Sequence, residues 1–291
     1  MSPNPDEDVE YYTSLANVIA RTMVYINHMV REKGASFAQQ YILQKGLKIF
    51  GKRGQDAAIK EIDQLHRRHC FTPRSIKEMT PEERRKAMEA LLLLTEKRNK
   101  TVKGRMVYNG KPSREWIGKE DSASPTAVLE SILITAVIDA KECHDVMTAD
   151  VPNAFIQTVM PKPKDGEARV MMKITGVLVD MLVQLDPALY GLYVVFEDNR
   201  KVLYVQVLCA IYGMLESSLL WYKKFQKDLE KHGFKFNPYD PCVANRTVAG
   251  KQHTVRFHMD DLMSSHEDPR EHDQRGGNRA ELEVEDQEDK R

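Results

Sequence analysis

The sequence predicts an α+β fold, and two features of the 291 residues support that prediction. Apolar residues recur at helical spacing near the N-terminus, whereas the second half alternates short β-rich segments with helical ones. Hydrophobic residues make up 42% of the chain, which is enough for a core. We therefore expect an antiparallel sheet with helices on one face, accompanied by a second layer of strands and helices.

The chain is expected to divide into four parts. These are a helical connector at residues 1–66, a mixed part at 67–148, a second mixed part at 149–267 and a disordered charged tail at 268–291. Within the connector, apolar residues from Leu15 to Val30 predict an amphipathic helix, and a second helical stretch covers 37–50.

Residues 67–148 contain a helix start signal. Thr80 is a favourable N-cap, Pro81 suits the first helical position, and Glu83 completes a capping box, so we expect a helix to about residue 97. Two strands are then expected at 104–108 and 114–117 around an Asn-Gly turn, followed by a helix capped at Ser124.

Residues 145–267 mix strands with one long helix. Strands are expected at 170–174, 193–197 and 202–206, and a helix at 219–231 closed by Gly233. A hairpin is expected from the two β-rich segments at 242–248 and 253–259.

Several functional classes are disfavoured by composition. The four cysteines are too scattered for a zinc site, which favours reduced, intracellular thiols, and no apolar run approaches the ~20 residues of a membrane span. His66, His69 and Cys70 lack a second ligand pair, so a structural or surface role is favoured for them. The formal net charge is zero, and outside the acidic tail the chain is mildly basic.

The most informative residues are three aspartates. Asp260 and Asp261 follow a β-rich segment, and such a pair alone is most often turn chemistry. Asp150 makes a metal site a stronger alternative to turn chemistry, because it ends another apolar stretch. Two-metal nucleotidyl transfer requires carboxylates from separate strand ends, and hard divalent cations prefer oxygen ligands.

These aspartates lie in segments that resemble a known family. Residues 150–155, Ile211-Tyr212-Gly213-Met214 followed by Trp221-Tyr222, and His258-Met259-Asp260-Asp261 resemble, in order, the motifs of copia-type reverse transcriptases. Residues 104–107 resemble the fingers strand that precedes them. The resemblance covers about residues 70–266. It implies a fingers-like part at 67–148 and a palm-like part at 149–267.

The resemblance implies RNA-directed DNA polymerisation and a role for each matching residue. Asp150 and Asp260 would bind two Mg²⁺ ions, with Mn²⁺ as an alternative, and Asp261 would support them. Arg105 would contact the triphosphate, and Phe155 would block a ribose 2′-hydroxyl. Tyr212 and Gly213 would lie beneath template and nucleotide. The simpler alternatives are an exposed strand charge for Arg105, a core aromatic for Phe155 and a turn for Gly213.

The sequence also departs from the family. His258 stands where the family usually has Tyr, and no thumb, ribonuclease H, protease or integrase signature is found. We therefore expect a truncated polyprotein segment with little processive activity, in which absent strands would cover the sheet edge beside residues 253–259. Whether such a fragment is an active enzyme is left open by the sequence.

The implied partners are an RNA template, a DNA primer and a dNTP, with integrase and ribonuclease H segments in the intact element. The implied location is cytoplasmic and particle-associated, with a nuclear location as the alternative. Two other functions stay open: a decayed, catalytically silent relic or nucleic-acid-binding fragment, and a helical interaction protein whose acid pair is turn chemistry.

Overall fold

The computed structural model describes residues 39–271. The helix predicted between Leu15 and Val30 and the tail beyond residue 271 lie outside the described residues. Within residues 39–271 no helix combines the length and apolar character that crossing a bilayer requires.

Helices and strands alternate along these residues. The strands, in chain order, are β1 Gln40–Ile42, β2 Phe71–Pro73, β3 Met88–Glu96, β4 Val102–Tyr108, β5 Asp145–Asp150, β6 Met171–Thr175, β7 Val195–Glu197, β8 Arg200–Val207, β9 Lys235–Phe236, β10 Val243–Val248, β11 Lys251–His258 and β12 Asp261–His266. The α-helices are α1 Leu43–Phe50, α2 Lys52–Arg67, α3 Pro81–Lys86, α4 Leu129–Glu142, α5 Val177–Leu185, α6 Pro187–Tyr190 and α7 Ser217–Lys231. Short 3₁₀ turns occupy Ile76–Glu78, Lys111–Glu115, Phe155–Gln157 and Gly191–Tyr193.

The strands form two sheets, which makes the fold mixed α+β as expected. The first sheet has the order β1-β3-β6-β8-β2, with β4 added to β3 and β7 to β8. It is mixed, because β3 pairs in parallel with β6 and antiparallel with β1 and β4. The second sheet has the order β5-β12-β11-β10-β9 and is antiparallel throughout.

The second sheet carries helices on both faces, so the expectation of helices on one face is wrong. Val255 and Phe257 of β11 pack with Trp221 and Phe225 of α7. Because successive side chains of a strand point to opposite faces, Arg256 lies on the other face. There it donates a 2.8 Å hydrogen bond to the Ile132 carbonyl of α4.

Most of the predicted elements are confirmed. The Thr80–Glu83 capping box is present with both of its hydrogen bonds, at 3.0 and 3.1 Å. The strands predicted at 104–108, 170–174, 193–197 and 202–206, the helix at 219–231 and the hairpin at 242–259 lie within two or three residues of their predicted positions.

Three predicted elements differ from the structure. The helix after Thr80 ends at Lys86, and the residues that follow form β3, in which alternate side chains are buried. Residues 114–117 form no strand, since β4 pairs with β3 and the chain turns at Lys111–Glu115. The helix predicted from Ser124 is present as α4, but it begins later, at Leu129, so Ser124 does not cap it.

The expected open edge beside residues 253–259 is also wrong. Strand β11 is internal, since it pairs with β10 on one side and β12 on the other. The edge strand on this side of the sheet is β5, which ends at Asp150.

Candidate active site

Two of the predicted metal ligands are direct cross-strand neighbours. Asp150 is the last residue of β5 and lies opposite Asp261, the first residue of β12. The Val151 N–H donates a 2.8 Å hydrogen bond to the Asp260 carbonyl, which makes the Asp150–Asp261 pair the non-hydrogen-bonded kind. Such residues have Cα atoms roughly 4.5 Å apart and side chains on the same face. Both carboxylates therefore project from one end of one face.

The third aspartate lies in the adjoining turn. His258 pairs with Asp261, so Met259 and Asp260 form the two-residue turn between β11 and β12. Met259 adopts a left-handed conformation with φ of 56°. The buried Trp221 donates a hydrogen bond of 2.8 Å from Nε1 to the Met259 carbonyl. Helix α7 thus fixes the turn that presents Asp260.

The three aspartates place like charges at one end of the sheet. Among residues 39–271, no ion pair involves Asp150, Asp260 or Asp261. Like charges directly opposite each other on neighbouring strands destabilise a sheet. A bound cation would remove that repulsion, and the carboxylate oxygens are of the type that Mg²⁺ and Mn²⁺ prefer.

The side chains are not yet gathered around an ion position. Across the described residues 39–271, no three or more His, Cys, Asp or Glu side chains lie close enough together to hold a metal. Asp150 and Asp261 are exposed and Asp260 is partly exposed. The carboxylate oxygens and the backbone positions of these residues fit a metal site. Their exposed side chains are free to change rotamer, and such a rotation is required to bring them around one ion.

A cavity of about 460 Å³ opens beside the aspartates. It is lined by residues of β5, β11 and β12, among them Asp150, Arg256 and Asp261, and by residues around the start of α4. Most of the lining is apolar and includes Ala127, Ile132 and Met263.

The other predicted residues form an aromatic group near the carboxylates. The rings of Phe155 and Tyr212 meet edge to face with centroids 4.8 Å apart, and the Arg105 guanidinium lies 4.1 Å from the Tyr212 ring centroid. Burial raises the pKa of the Tyr212 hydroxyl, Arg105 opposes that rise, and Asp260 and Asp150 add to it. Tyr212 therefore lies within electrostatic reach of the aspartates, and the structure brings these predicted residues into one region.

Gly213 has a steric role in the same region. Its φ is 88°, and a Cβ there would clash with the carbonyl oxygen of Tyr108 at the end of β4. The Tyr108 N–H donates a 2.7 Å hydrogen bond to the Tyr212 carbonyl. The glycine thus permits the close approach that joins β4 to the segment carrying Tyr212.

Two residues that support the site were assigned no role from the sequence. The fully buried Asp240 accepts hydrogen bonds from Val128 N–H (3.1 Å) and Cys242 N–H (2.9 Å), which ties the start of α4 to β10. Glu61 of α2 accepts a 2.9 Å hydrogen bond from Met106 N–H on the outer edge of β4. An acid before proline marks Asp240 in the sequence, whereas nothing near Glu61 distinguishes it from surface acids.

Comparisons with known proteins identify no family. No protein-family model matches the chain, and no curated protein matches its sequence.

Proposed function

We propose that this chain is the fingers and palm segment of a copia-type retrotransposon reverse transcriptase, an RNA-directed DNA polymerase. The observation that carries the proposal is the cross-strand pair of Asp150 and Asp261 beside the turn that presents Asp260. Turn chemistry alone accounts for Asp260 and Asp261. It does not account for a third acid on a distant segment that lies directly opposite Asp261.

The carboxylates would hold the metal ions. Asp150 and Asp260 would each bind both Mg²⁺ or Mn²⁺ ions, and Asp261 would support them from the same face. When bound, such ions favour deprotonation of a primer 3′-hydroxyl and neutralise charge on the triphosphate and the leaving pyrophosphate. The acids repel one another in the free protein, and cation binding would relieve that repulsion.

Neighbouring residues would bind and orient the nucleotide. The Arg105 guanidinium offers paired N–H groups suited to phosphate oxygens. Phe155 lies against Tyr212 and would limit the space beside the sugar, which favours a deoxyribonucleotide. The substrates would be an RNA template, a DNA primer and a dNTP.

The exposed carboxylates need a fixed backbone if they are to hold metal ions in a constant position. Positioning and charge stabilisation supply most of the catalysis in such reactions, so small displacements of an acid reduce the rate strongly. The hydrogen bond from Trp221 to the Met259 carbonyl and that from Val151 N–H to the Asp260 carbonyl hold the turn in place. These contacts fix the backbone of the turn that carries Asp260, while the carboxylate side chains keep their rotamer freedom.

Single-nucleotide addition tests the proposed activity. The full chain is incubated with an RNA template, an annealed DNA primer, dNTP and Mg²⁺ or Mn²⁺. We expect addition that Asp260→Asn abolishes and that Asp165→Asn, a matched change at an exposed loop acid, leaves intact. Addition that persists in Asp260→Asn, or none by the wild-type chain, would contradict the proposed activity.

A further inference from the structure

We infer that Tyr212 is a positioning residue whose single ring sets both the affinity for the incoming nucleotide and the discrimination against ribose. The inference rests on the proposed function and goes beyond the separate roles of Arg105 and Phe155. It makes these two residues one coupled unit, because both contact the same ring.

The first contact holds the phosphate-binding group. The Arg105 guanidinium carbon lies 4.1 Å from the Tyr212 ring centroid, within the range of a cation–π interaction. Arg105 is carried by β4, whose outer edge is tied to α2 through Glu61 and Met106 N–H. With the strand fixed, the ring restricts the remaining freedom of a long side chain. A guanidinium held in place loses less entropy when it binds phosphate.

The second contact holds the aromatic beside the sugar position. Phe155 opens a 3₁₀ turn five residues after Asp150, and its ring meets the Tyr212 ring at 62°. Phe155 is partly buried and also packs against the core beneath β11, so the Tyr212 ring is one of two contacts that set its position. Removing the ring would let Phe155 move away from the space that it restricts.

Several contacts hold the backbone that carries the Tyr212 ring. Its carbonyl accepts the hydrogen bond from Tyr108 N–H, the preceding Ile211 is fully buried, and Gly213 packs against the Tyr108 carbonyl. These contacts join β4 to the segment that carries the ring. A fixed ring between two partly exposed side chains can transmit a change at one of them to the other.

The coupling predicts that affinity and discrimination change together. Equilibrium binding of dATP and of ATP to the full chain is measured with Mn²⁺ present. We expect Tyr212→Leu to weaken dATP binding about tenfold through loss of the guanidinium contact and to bring the dATP-to-ATP affinity ratio towards one. Tyr212→Phe keeps the ring and should retain the wild-type values, which a role of the hydroxyl would not allow.

Tyr41 supplies the matched control. It also has a cation near its ring, the Lys45 ammonium at 5.3 Å, and an edge-on partner, Phe50 at 5.7 Å, but it lies in β1. Tyr41→Leu should leave both affinities unchanged. If Tyr212→Leu does not fold, Tyr212→Met fills more of the ring volume without aromatic character and is expected to give the same paired change.

The possible failures are distinguishable. A wild-type chain that binds no dATP with Mn²⁺ present would overturn the proposed function and this inference with it. A wild-type chain that prefers dATP, with Tyr212→Leu or Tyr212→Met weakening dATP and ATP equally, would overturn the coupling alone. An unchanged affinity in a folded Tyr212→Leu variant would do the same.

Discussion

The indole of Trp221 donates a hydrogen bond to the carbonyl of Met259, with 2.8 Å between the two atoms. The donor lies on α7 and the acceptor in the turn that precedes Asp260, 38 residues along the chain. Trp221 is also stacked on Phe225 at 5.4 Å in the core beneath β11. This contact links the core of the second sheet to the backbone that presents a predicted metal ligand.

Trp221→Phe should therefore weaken the turn more than the core. Phenylalanine keeps the aromatic packing but cannot donate, so we expect a loss of about 1 kcal/mol in the free energy of unfolding. Mn²⁺ affinity should fall several-fold, because the turn that carries Asp260 becomes less fixed. Urea unfolding and Mn²⁺ titration measure the two effects. The partly exposed Trp116 supplies the control variant Trp116→Phe, and equal effects of the two changes would contradict the assigned role.

Neutralising one acid of the cross-strand pair should stabilise the metal-free protein. Asp150 and Asp261 face each other, and no ion pair among residues 39–271 involves either of them, so Asp261→Asn should raise the free energy of unfolding by about 0.5 kcal/mol in the presence of a chelator. Adding Mn²⁺ should reverse the order, because the wild type gains binding energy that the variant lacks. Asp165→Asn should change neither value. A metal-free Asp261→Asn variant less stable than the wild type would argue against repulsion between the two acids.

Gly213→Ala should be more damaging than its backbone conformation alone requires. Gly213 and Gly166 have similar φ values, 88° and 83°, but only the Gly213 position has atoms of other residues within reach of an added Cβ. We expect a loss of roughly 1 kcal/mol for Gly166→Ala and of 3 kcal/mol or more for Gly213→Ala, since the latter also displaces the Tyr108 carbonyl. Chemical denaturation gives the difference. Equal losses would mean that the segment carrying Tyr212 is not held against β4.

Stability should fall in acid through one buried ion pair. The Arg169 guanidinium, which donates to both oxygens of the buried Glu83, lowers the pKa of that carboxyl to about 2. A pKa below its unfolded value contributes stability above about pH 4.5 that is lost as the pH falls towards 2. The contribution is on the order of 3 kcal/mol.

Glu83→Gln should flatten this part of the stability curve. Its free energy of unfolding should differ from that of the wild type at pH 6 and converge with it near pH 2. Glu82→Gln is the control and should change the free energy of unfolding little. Glu82 is exposed and pairs with Lys86 of the same helix, and solvent screens that pair. Denaturant titrations between pH 2 and pH 7 measure the free energy of unfolding of each protein. If the curves of this free energy against pH are parallel for Glu83→Gln and the wild type, the Glu83–Arg169 pair does not cause the loss of stability in acid.

The errors in the predicted elements have physical causes. Residues 90–94 form a nearly continuous apolar run, which periodicity cannot assign to helix or strand, and the capping box at Thr80 favoured a longer helix. The run becomes β3 because it pairs with distant strands, in parallel with β6 and antiparallel with β4. Gly110 suggested a hairpin turn, but its lack of a side chain instead permits close packing on the Gly213 backbone.

The identities of the candidate site residues could be predicted from the sequence, but their arrangement could not. The aspartates, Arg105, Phe155 and Tyr212 could be named from short motifs, because each motif lies on one segment. The strand register that sets Asp150 opposite Asp261 and the stacking of Arg105 on Tyr212 depend on tertiary pairing. Single-sequence patterns carry no information on such pairings, so the contacts among these residues were seen only in the fold.

Direct measurement of Mn²⁺ binding tests whether Asp150, Asp260 and Asp261 form one metal site. Proton relaxation enhancement of water reports Mn²⁺ bound to the full chain without requiring catalysis. We expect saturable binding by the wild type, loss of binding in Asp150→Asn and in Asp260→Asn, weakening in Asp261→Asn, and no change in Asp165→Asn. Mn²⁺ binding by Asp150→Asn and Asp260→Asn at wild-type affinity would contradict a shared metal site.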